Sequence, residues 1–425
     1  MKKRYHWIIL GAILILIISI YAYGSPNNRL MAQKRITYRD QVNMKYLHGD
    51  KTQITSLGYT FSQNQSEIMN NVNQSFEQIF SAIEQAKDHV HIEFFIIRDD
   101  AIGQRMKRIL AEKVRQGVEV RFIYDAVGSM SVKRKFIADC NQAGIKMVAY
   151  KPILASIVRG QLNHRNHKKI VVVDGEVGFT GGINLGDEYL GKKPGIGFWR
   201  DLVVKIKGPA VEGMQAAFLE DWYLSTGEKI LQKKYYQPHA SSGAQQVMIV
   251  TSEPDMHKKE IEKLFSGLIN NAKEEILIST PYFIPEKSLN NSLIKAIQRG
   301  VRVEIMIPEH PDVNTTYLAT QGNLGSVLSA GATVWKYRKG FLHAKSMIVD
   351  QQLTCIGSAN FDKRGLSEDA EICVLMADEK TARAQRSWYE EDIKHSKRLT
   401  LKEYQSRPLW DMIGEKAVKI FENWM

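Results

Sequence analysis

His167-Lys168-Lys169-Ile170-Val171-Val172-Val173-Asp174 and His343-Ala344-Lys345-Ser346-Met347-Ile348-Val349-Asp350 read alike, H-x-K-x4-D in both. In each copy six residues follow, then small residues and an asparagine: Gly181-Gly182-Ile183-Asn184 and Gly357-Ser358-Ala359-Asn360. One short motif arises by chance, but two with the same extension make a strong signal. Residues i and i+2 of a strand share a face, so His167 projects with Lys169 and His343 with Lys345. The apolar run that follows each lysine anchors the strand in a core. Asp174-Gly175 signals a hairpin turn. A two-residue turn sets Gly182 opposite His167 and, by analogy, Ser358 opposite His343, leaving space for a ligand beside each imidazole.

The surrounding chain repeats in the same order. Ala86-Lys87-Asp88 precedes an expected strand Val90–Ile97, and Ala272-Lys273-Glu274 precedes Ile276–Ser279. Gln116-Gly117-Val118-Glu119-Val120 returns as Arg299-Gly300-Val301-Arg302-Val303, and Ala143-Gly144 as Ala330-Gly331. Phe76, Ile79, Phe80, Ile83 and Ala86 have the spacing of one buried helical face. A helix over Ile102–Gln116 leads to a strand Val118–Tyr124. This βαβ rhythm argues for a sheet covered by helices. The repeat is far too long for a solenoid, so the expectation is two tandem α/β domains. The polar stretch Ser225–Gln246 is the expected linker between them.

Two imidazoles and two ammoniums around one cavity suit a phosphodiester. Lys169, Lys345, Asn184 and Asn360 would neutralise or contact the non-bridging oxygens. One imidazole attacks phosphorus and the other protonates the leaving alkoxide. No metal or cofactor is needed. Asp174 and Asp350 sit at a turn, where aspartate often serves the backbone, so chemical and structural roles both stay open.

Of 425 residues 44% are hydrophobic, which excludes a disordered chain, and the formal charge is +12. That charge favours an anionic partner, either nucleic acid or an acidic membrane surface. Cys140, Cys355 and Cys373 show no metal spacing and read as buried thiols. Met1-Lys2-Lys3-Arg4 precedes an uncharged apolar run, Trp7 to Tyr23. As a helix that run spans roughly 25 Å, close to a bilayer core. It reads as a retained anchor rather than a signal peptide cut near Ala22-Tyr23-Gly24. Basic residues flank both ends, so its orientation is open. Trp410, Ile413, Ala417, Ile420, Phe421 and Trp424 keep helical spacing and read as a helix packed on the body rather than on a membrane.

From about residue 58 to 400 the chain resembles the phospholipase D superfamily, and within it the bacterial cardiolipin synthases. Besides both motifs, the resemblance rests on Phe94-Phe95-Ile96-Ile97-Arg98-Asp99-Asp100, Asn163-His164-Arg165-Asn166-His167, Gly186-Asp187-Glu188-Tyr189-Leu190-Gly191, Trp199-Arg200-Asp201 and Pro281-Tyr282-Phe283-Ile284-Pro285. It implies two phospholipase D-like α/β sandwich domains with pseudo-two-fold symmetry, a phosphohistidine intermediate and no required metal. It also implies an acidic residue after each motif that orients the imidazole. Glu371 fits that place in the second half. Asp201 fits it in the first, although an insertion around Lys192–Gly197 disturbs the spacing. The family favours His167 as nucleophile and His343 as general acid and then base. The chain departs from many bacterial members in having one apolar N-terminal segment rather than two.

The expected organisation is an anchor over 1–24, a juxtamembrane connector over 25–60, phospholipase D-like domains over 61–240 and 241–400, and a C-terminal helix over 401–425. The expected protein is a single-pass cell-membrane phosphatidyltransferase. It would take an anionic phospholipid, phosphatidylglycerol, and no nucleic acid, and release glycerol. The rival activities are a hydrolytic phospholipase D and a related nuclease. A catalytically silent membrane scaffold is disfavoured by two intact motifs.

Overall fold

The computed structural model describes residues 29–42, 57–158, 163–192, 195, 197–236, 241–408, 410, 412–415 and 418. The expected anchor over 1–24 lies outside them. Among the described residues no helix is long and apolar enough to cross a membrane.

Each half is built on one sheet. Across the first half the strands run Lys146–Tyr150, Glu119–Asp125, His89–Phe94, Ile170–Val173, Val177–Gly181, Val203–Lys207 and Tyr59–Met69. Across the second they run Thr333–Tyr337, Arg302–Pro308, Glu275–Ser279, Ser346–Val349, Leu353–Gly357, Glu371–Ala377 and Gln245–Ser252, with Ser396–Leu399 added at the outer edge. In both, the first three strands are parallel and the remaining pairings antiparallel. The matching order is the fold-level form of the sequence repeat. The strands Ile170–Val173 and Ser346–Val349 are buried at every residue, as expected of strands covered on both faces.

The two sheets meet where Tyr59–Met69 pairs antiparallel with Gln245–Ser252, giving fifteen strands in all. Tyr59–Met69 serves both neighbours by changing partner along its length. Gln65–Met69 pairs with Val203–Lys207, while Tyr59–Phe61 pairs with Val247–Ile249. The break falls at Gln63, whose φ is 64°. Buried Asn64 stabilises it, donating to Phe61 O at 2.8 Å and accepting from Ala210 N at 2.7 Å. Such a bulge bends the strand and increases its twist.

Outer helices follow the apolar spacing. Helix Val72–Glu84 is capped by Asn71 and buries Phe76, Ile79, Phe80 and Ile83. Helix Ala101–Arg115 is capped by Asp100. A central core holds Ile170, Val172, Leu277, Ile348, Ile356 and Met214 together, so the halves share a hydrophobic layer.

One expectation is corrected and another is narrowed. Part of the connector is a helix over 29–42 that buries Arg35, Tyr38 and Val42 in the body. Arg35 docks by ion pairs while Tyr38 and Val42 join an apolar cluster with Phe218, Trp222 and Tyr236, so the segment shows too few apolar positions for a helix signal in the sequence. At the C-terminus, Trp410 and Ile413 are 80% and 47% exposed, while Gly414 lies beside Leu318 and Glu415 beside Gly322, so the segment touches the body without burying those two side chains. Ala417, Ile420, Phe421 and Trp424 lie outside the residues whose side chains are described.

Candidate active site

Both histidines are fixed by backbone bonds that cross between the halves. His167 N donates to Ala370 O at 2.8 Å, and Ala370 N donates to Arg165 O at 2.8 Å. His343 N donates to Arg200 O at 2.7 Å, beside a parallel pairing of Gly340–Leu342 with Phe198–Arg200. Each crossing ends one residue before an acid. Glu371 therefore meets the imidazole of the other half, with His167 Nδ1 2.7 Å from Oε1. Asp201 does the same for His343, Nδ1 lying 2.7 Å from Oδ2. The carboxylates that follow each motif thus serve the opposite histidine. All four side chains are buried.

Strand alternation places the lysines as the spacing requires. Lys169 Nζ donates to His167 O at 2.5 Å, and Lys345 Nζ to His343 O at 2.6 Å. Phe95 lies edge-on to His167 at 4.9 Å between ring centres, and Trp199 lies 4.9 Å from His343. Lys168 points the other way. Its ammonium is fully buried, 2.6 Å from Asp221 and bonded to Glu253, whereas Ala344 fills the matching place in the second motif.

Burial sets the protonation. It lowers Lys169 to about 7 against the pull of Glu371, and Lys345 to about 8 against Asp201. Burial, then the neighbouring Lys345, push His343 down to about 4. Burial and Lys169 push His167 well below its usual value. Burial raises Glu371 to about 8 against Lys169. Each group opposes carrying charge in this buried place, and His167 and Glu371 share the proton between Nδ1 and Oε1. Desolvation is the first cause of each cation's shift, and a phosphodiester anion would raise all four cationic groups.

The small residues do not face a ligand, which corrects the expected register. Val173 stands opposite Val177, and Val349 opposite Leu353, so each hairpin is one residue longer than the two-residue reckoning. Gly182 instead makes room for Asp201: a Cβ there would stand 2.1 Å from Asp201 Oδ1. Ser358 Oγ donates to Glu371 Oε2 and accepts from Ile372 N at 3.0 Å. Asn184 is committed to its loops, accepting from Ile96 N at 3.1 Å and donating to Tyr189 OH at 2.8 Å. Asn360 Oδ1 is buried and has no partner among the described residues.

Asp174 and Asp350 stand at the far end of the strands, about 20 Å from the imidazoles at the rise of a strand. Asp174 accepts from the N–H groups of Lys87, Asp88 and His89 at 2.8–2.9 Å. Asp350 accepts from Lys273, Glu274 and Glu275, the closest at 2.8 Å. Both have positive φ, 54° and 52°. They order the entry to a neighbouring strand, so of the two roles left open for the pair the geometry supports the structural one and not a place among the reacting groups.

Sequence reasoning missed the support behind His167. Arg165 Nε bonds Asp125, which also accepts from Val127, Gly128 and Asn166 N–H groups. Fully buried Arg35 binds Glu220, Asp221, Glu253 and Asp255. Glu220, Asp221 and Glu253 are close enough to share a cation, but Arg35 and Lys168 already stand among them. Nothing local marks Arg35, because its partners lie 185 or more residues away.

A family model described as cardiolipin synthase, PLD-like domain, matches residues 79–222 and again 265–393. The cardiolipin synthase of Geobacillus kaustophilus (strain HTA426) is 37% identical over 358 residues, covering 84% of this chain and 71% of that protein. The major cardiolipin synthase of Bacillus subtilis (strain 168) is 36% identical, covering 84% and 74%. Phosphatidylserine synthase of Haemophilus influenzae Rd KW20 superposes with a TM-score of 0.67 at 17% identity, over 87% of this chain and 95% of that one. That last likeness speaks to the fold alone.

Asp350→Ala removes the acceptor of three N–H groups and is expected to cost about 2 kcal/mol of stability in denaturant unfolding. Activity per folded molecule should be retained. Loss of turnover in a variant shown to be folded would return Asp350 to the chemistry.

Proposed function

The chain belongs to the cardiolipin synthase family with phospholipase D-like domains, and on that premise we propose that it joins two phosphatidylglycerols into cardiolipin and releases glycerol. The observation that carries the reading is the pair of imidazoles, each held at Nδ1 by a carboxylate of the other half, beside two buried lysines. Holding Nδ1 leaves Nε2 of each ring for chemistry.

In the first step His167 Nε2 attacks phosphorus and the bond to the head glycerol breaks. His343, as imidazolium, passes its Nε2 proton to the departing alkoxide, leaving a phosphatidyl group on His167. In the second step neutral His343 takes the proton from a terminal hydroxyl of another phosphatidylglycerol. That oxygen attacks phosphorus, the P–N bond breaks, and cardiolipin leaves. Lys169 and Lys345 offset charge on the non-bridging oxygens. Asn360, with its unpaired oxygen, is the better placed asparagine to meet a substrate hydroxyl. His343 is not protonated in the empty site at neutral pH, so substrate charge must raise it. Substrate binding thereby arms the acid.

The partner in this reading is anionic phospholipid rather than nucleic acid. The apolar run Trp7 to Tyr23 would hold the enzyme at the membrane in a single pass.

Purified full-length protein supplied with head-group-labelled phosphatidylglycerol should yield cardiolipin and free glycerol. Phosphatidic acid with no cardiolipin would replace the transferase by a hydrolase. Faster turnover of DNA phosphodiesters than of lipid would favour a nuclease.

The crossed pairing separates the two acids kinetically. Glu371→Gln should slow formation of the covalent enzyme on the order of 10²–10⁴-fold, even from a nitrophenyl phosphodiester. Asp201→Asn should slow the natural substrate but be largely bypassed by that leaving group, which departs unprotonated. The reverse pattern in burst kinetics would exchange the roles of the histidines.

A further inference from the structure

Three neighbouring parallel strands of the first half, His89–Phe94, Glu119–Asp125 and Lys146–Tyr150, end beside His167. Phe95 touches the imidazole, Asp125 accepts from Asn166 N at 3.0 Å, and Arg165 donates to Tyr150 O at 3.3 Å. The segments leaving the last two strands carry bare apolar side chains. Met130 is 65% exposed, Leu154 79% and Ile157 43%. In the second half, Val313 follows Arg302–Pro308 and is 44% exposed, while Phe198, 42% exposed, adjoins the Trp199 that packs on His343. Half of the exposed large apolar residues among those described, five of ten, thus belong to segments that adjoin the elements carrying the site. Single exposed apolar residues are ordinary, but a collar of them around a site is not.

The collar is built, not frayed. Ser129 Oγ donates to Phe95 O at 3.1 Å, and Arg98 donates to Gly128 O at 3.3 Å and to Ser131 Oγ at 3.0 Å, flanking Met130 on both sides. Helix Ile153–Val158 turns its buried Ser156 inward, where Arg165 reaches Ser156 Oγ at 3.4 Å and Lys151 O at 3.0 Å. Leu154 and Ile157 are left outward on a helix pinned by the arginine two residues before His167. Lys133 and Arg134 are exposed next to Met130 and make no ion pair among the described residues.

We propose that this collar seats on an anionic lipid bilayer, with Leu154 and Ile157 entering the acyl region at the mouth of the His167 cavity and Lys133 and Arg134 on the lipid phosphates. The proposal rests on the lipid-substrate reading. His167 and His343 are 9% and 8% exposed, so a lipid phosphate must leave the interface to reach them while its chains stay in the membrane. That path is short only if the cavity mouth faces the bilayer. Apolar side chains at the mouth then exchange water for acyl chains, and the unpaired cations meet negative charge.

The test uses the full-length chain. Leu154→Cys is labelled with the environment-sensitive fluorophore NBD, which is selective because the three native cysteines are buried. Lys87→Cys, at the opposite end of the strands, is the control. With vesicles containing phosphatidylglycerol the label at 154 should brighten and be quenched by lipids brominated on their acyl chains, while the label at 87 should do neither. In parallel, the Leu154→Glu/Ile157→Glu double variant should lose about tenfold or more of its turnover on vesicles and keep it on monomeric short-chain phosphatidylglycerol. An unquenched label at 154, or equal losses on both substrates, overturns the docking surface. Failure of the wild type to turn over phosphatidylglycerol in vesicles as well as in monomeric form sinks the functional reading instead, and leaves the fluorescence result to stand on its own.

Discussion

The crossed bond between imidazole and carboxylate is the constraint on which this molecule is organised. His167 belongs to the first half and Glu371 to the second, and His343 with Asp201 repeats the arrangement in reverse. Neither half carries a complete reacting unit. The backbone bridges from His167 N to Ala370 O and from His343 N to Arg200 O fix the pairs, and the continuous sheet and shared central core hold the bridges in register. A small shift between the halves would break both pairs together, leaving buried groups without partners at a cost of several kcal/mol each. Rigidity of the interface is therefore a condition of the chemistry as much as of stability.

A second constraint is charge. The cavity gathers two lysines and two imidazoles away from water, and burial holds each below its usual affinity for protons. Such a site is unsatisfied until an anion enters. In the proposed mechanism binding and protonation are then one event, which prepares the acid when there is a leaving group to protonate. Behind the cavity the opposite solution is used. Lys168 and Arg35 are fully buried among Asp221, Glu253 and their neighbours, and are satisfied without any ligand. Adjacent residues of one motif, Lys168 and Lys169, thus face a closed ion-pair network and an open reactive site, because alternate positions of a strand point to opposite faces.

Much of this was legible in the sequence because it is local or repeated. The i, i+2 spacing puts His167 with Lys169, the duplicated landmarks give two α/β units, and the apolar spacing of Phe76 to Ile83 gives a helix face. What depends on contacts across the chain was not legible. Glu371 is 204 residues from His167, and no spacing rule says which histidine an acid serves. Gly182 and Ser358 are small for the sake of those acids, which the hairpin register alone could not reveal. Asp174 and Asp350 look identical in the motif whether they serve the backbone or a substrate, and only the N–H groups around them decide. Arg35 lies in an unpatterned polar stretch whose meaning appears only when four distant carboxylates close on it.

The proposed chemistry needs one composite centre per chain, with the covalent bond on His167. It is tested most directly by quenching full-length enzyme during turnover of phosphatidylglycerol under conditions that preserve phosphohistidine, then mapping the phosphatidyl-bearing peptide by mass spectrometry. One acid-labile phosphatidyl group per chain is expected, on the peptide that contains His167. A label on the His343 peptide, labels on both, or turnover with no covalent adduct would contradict it.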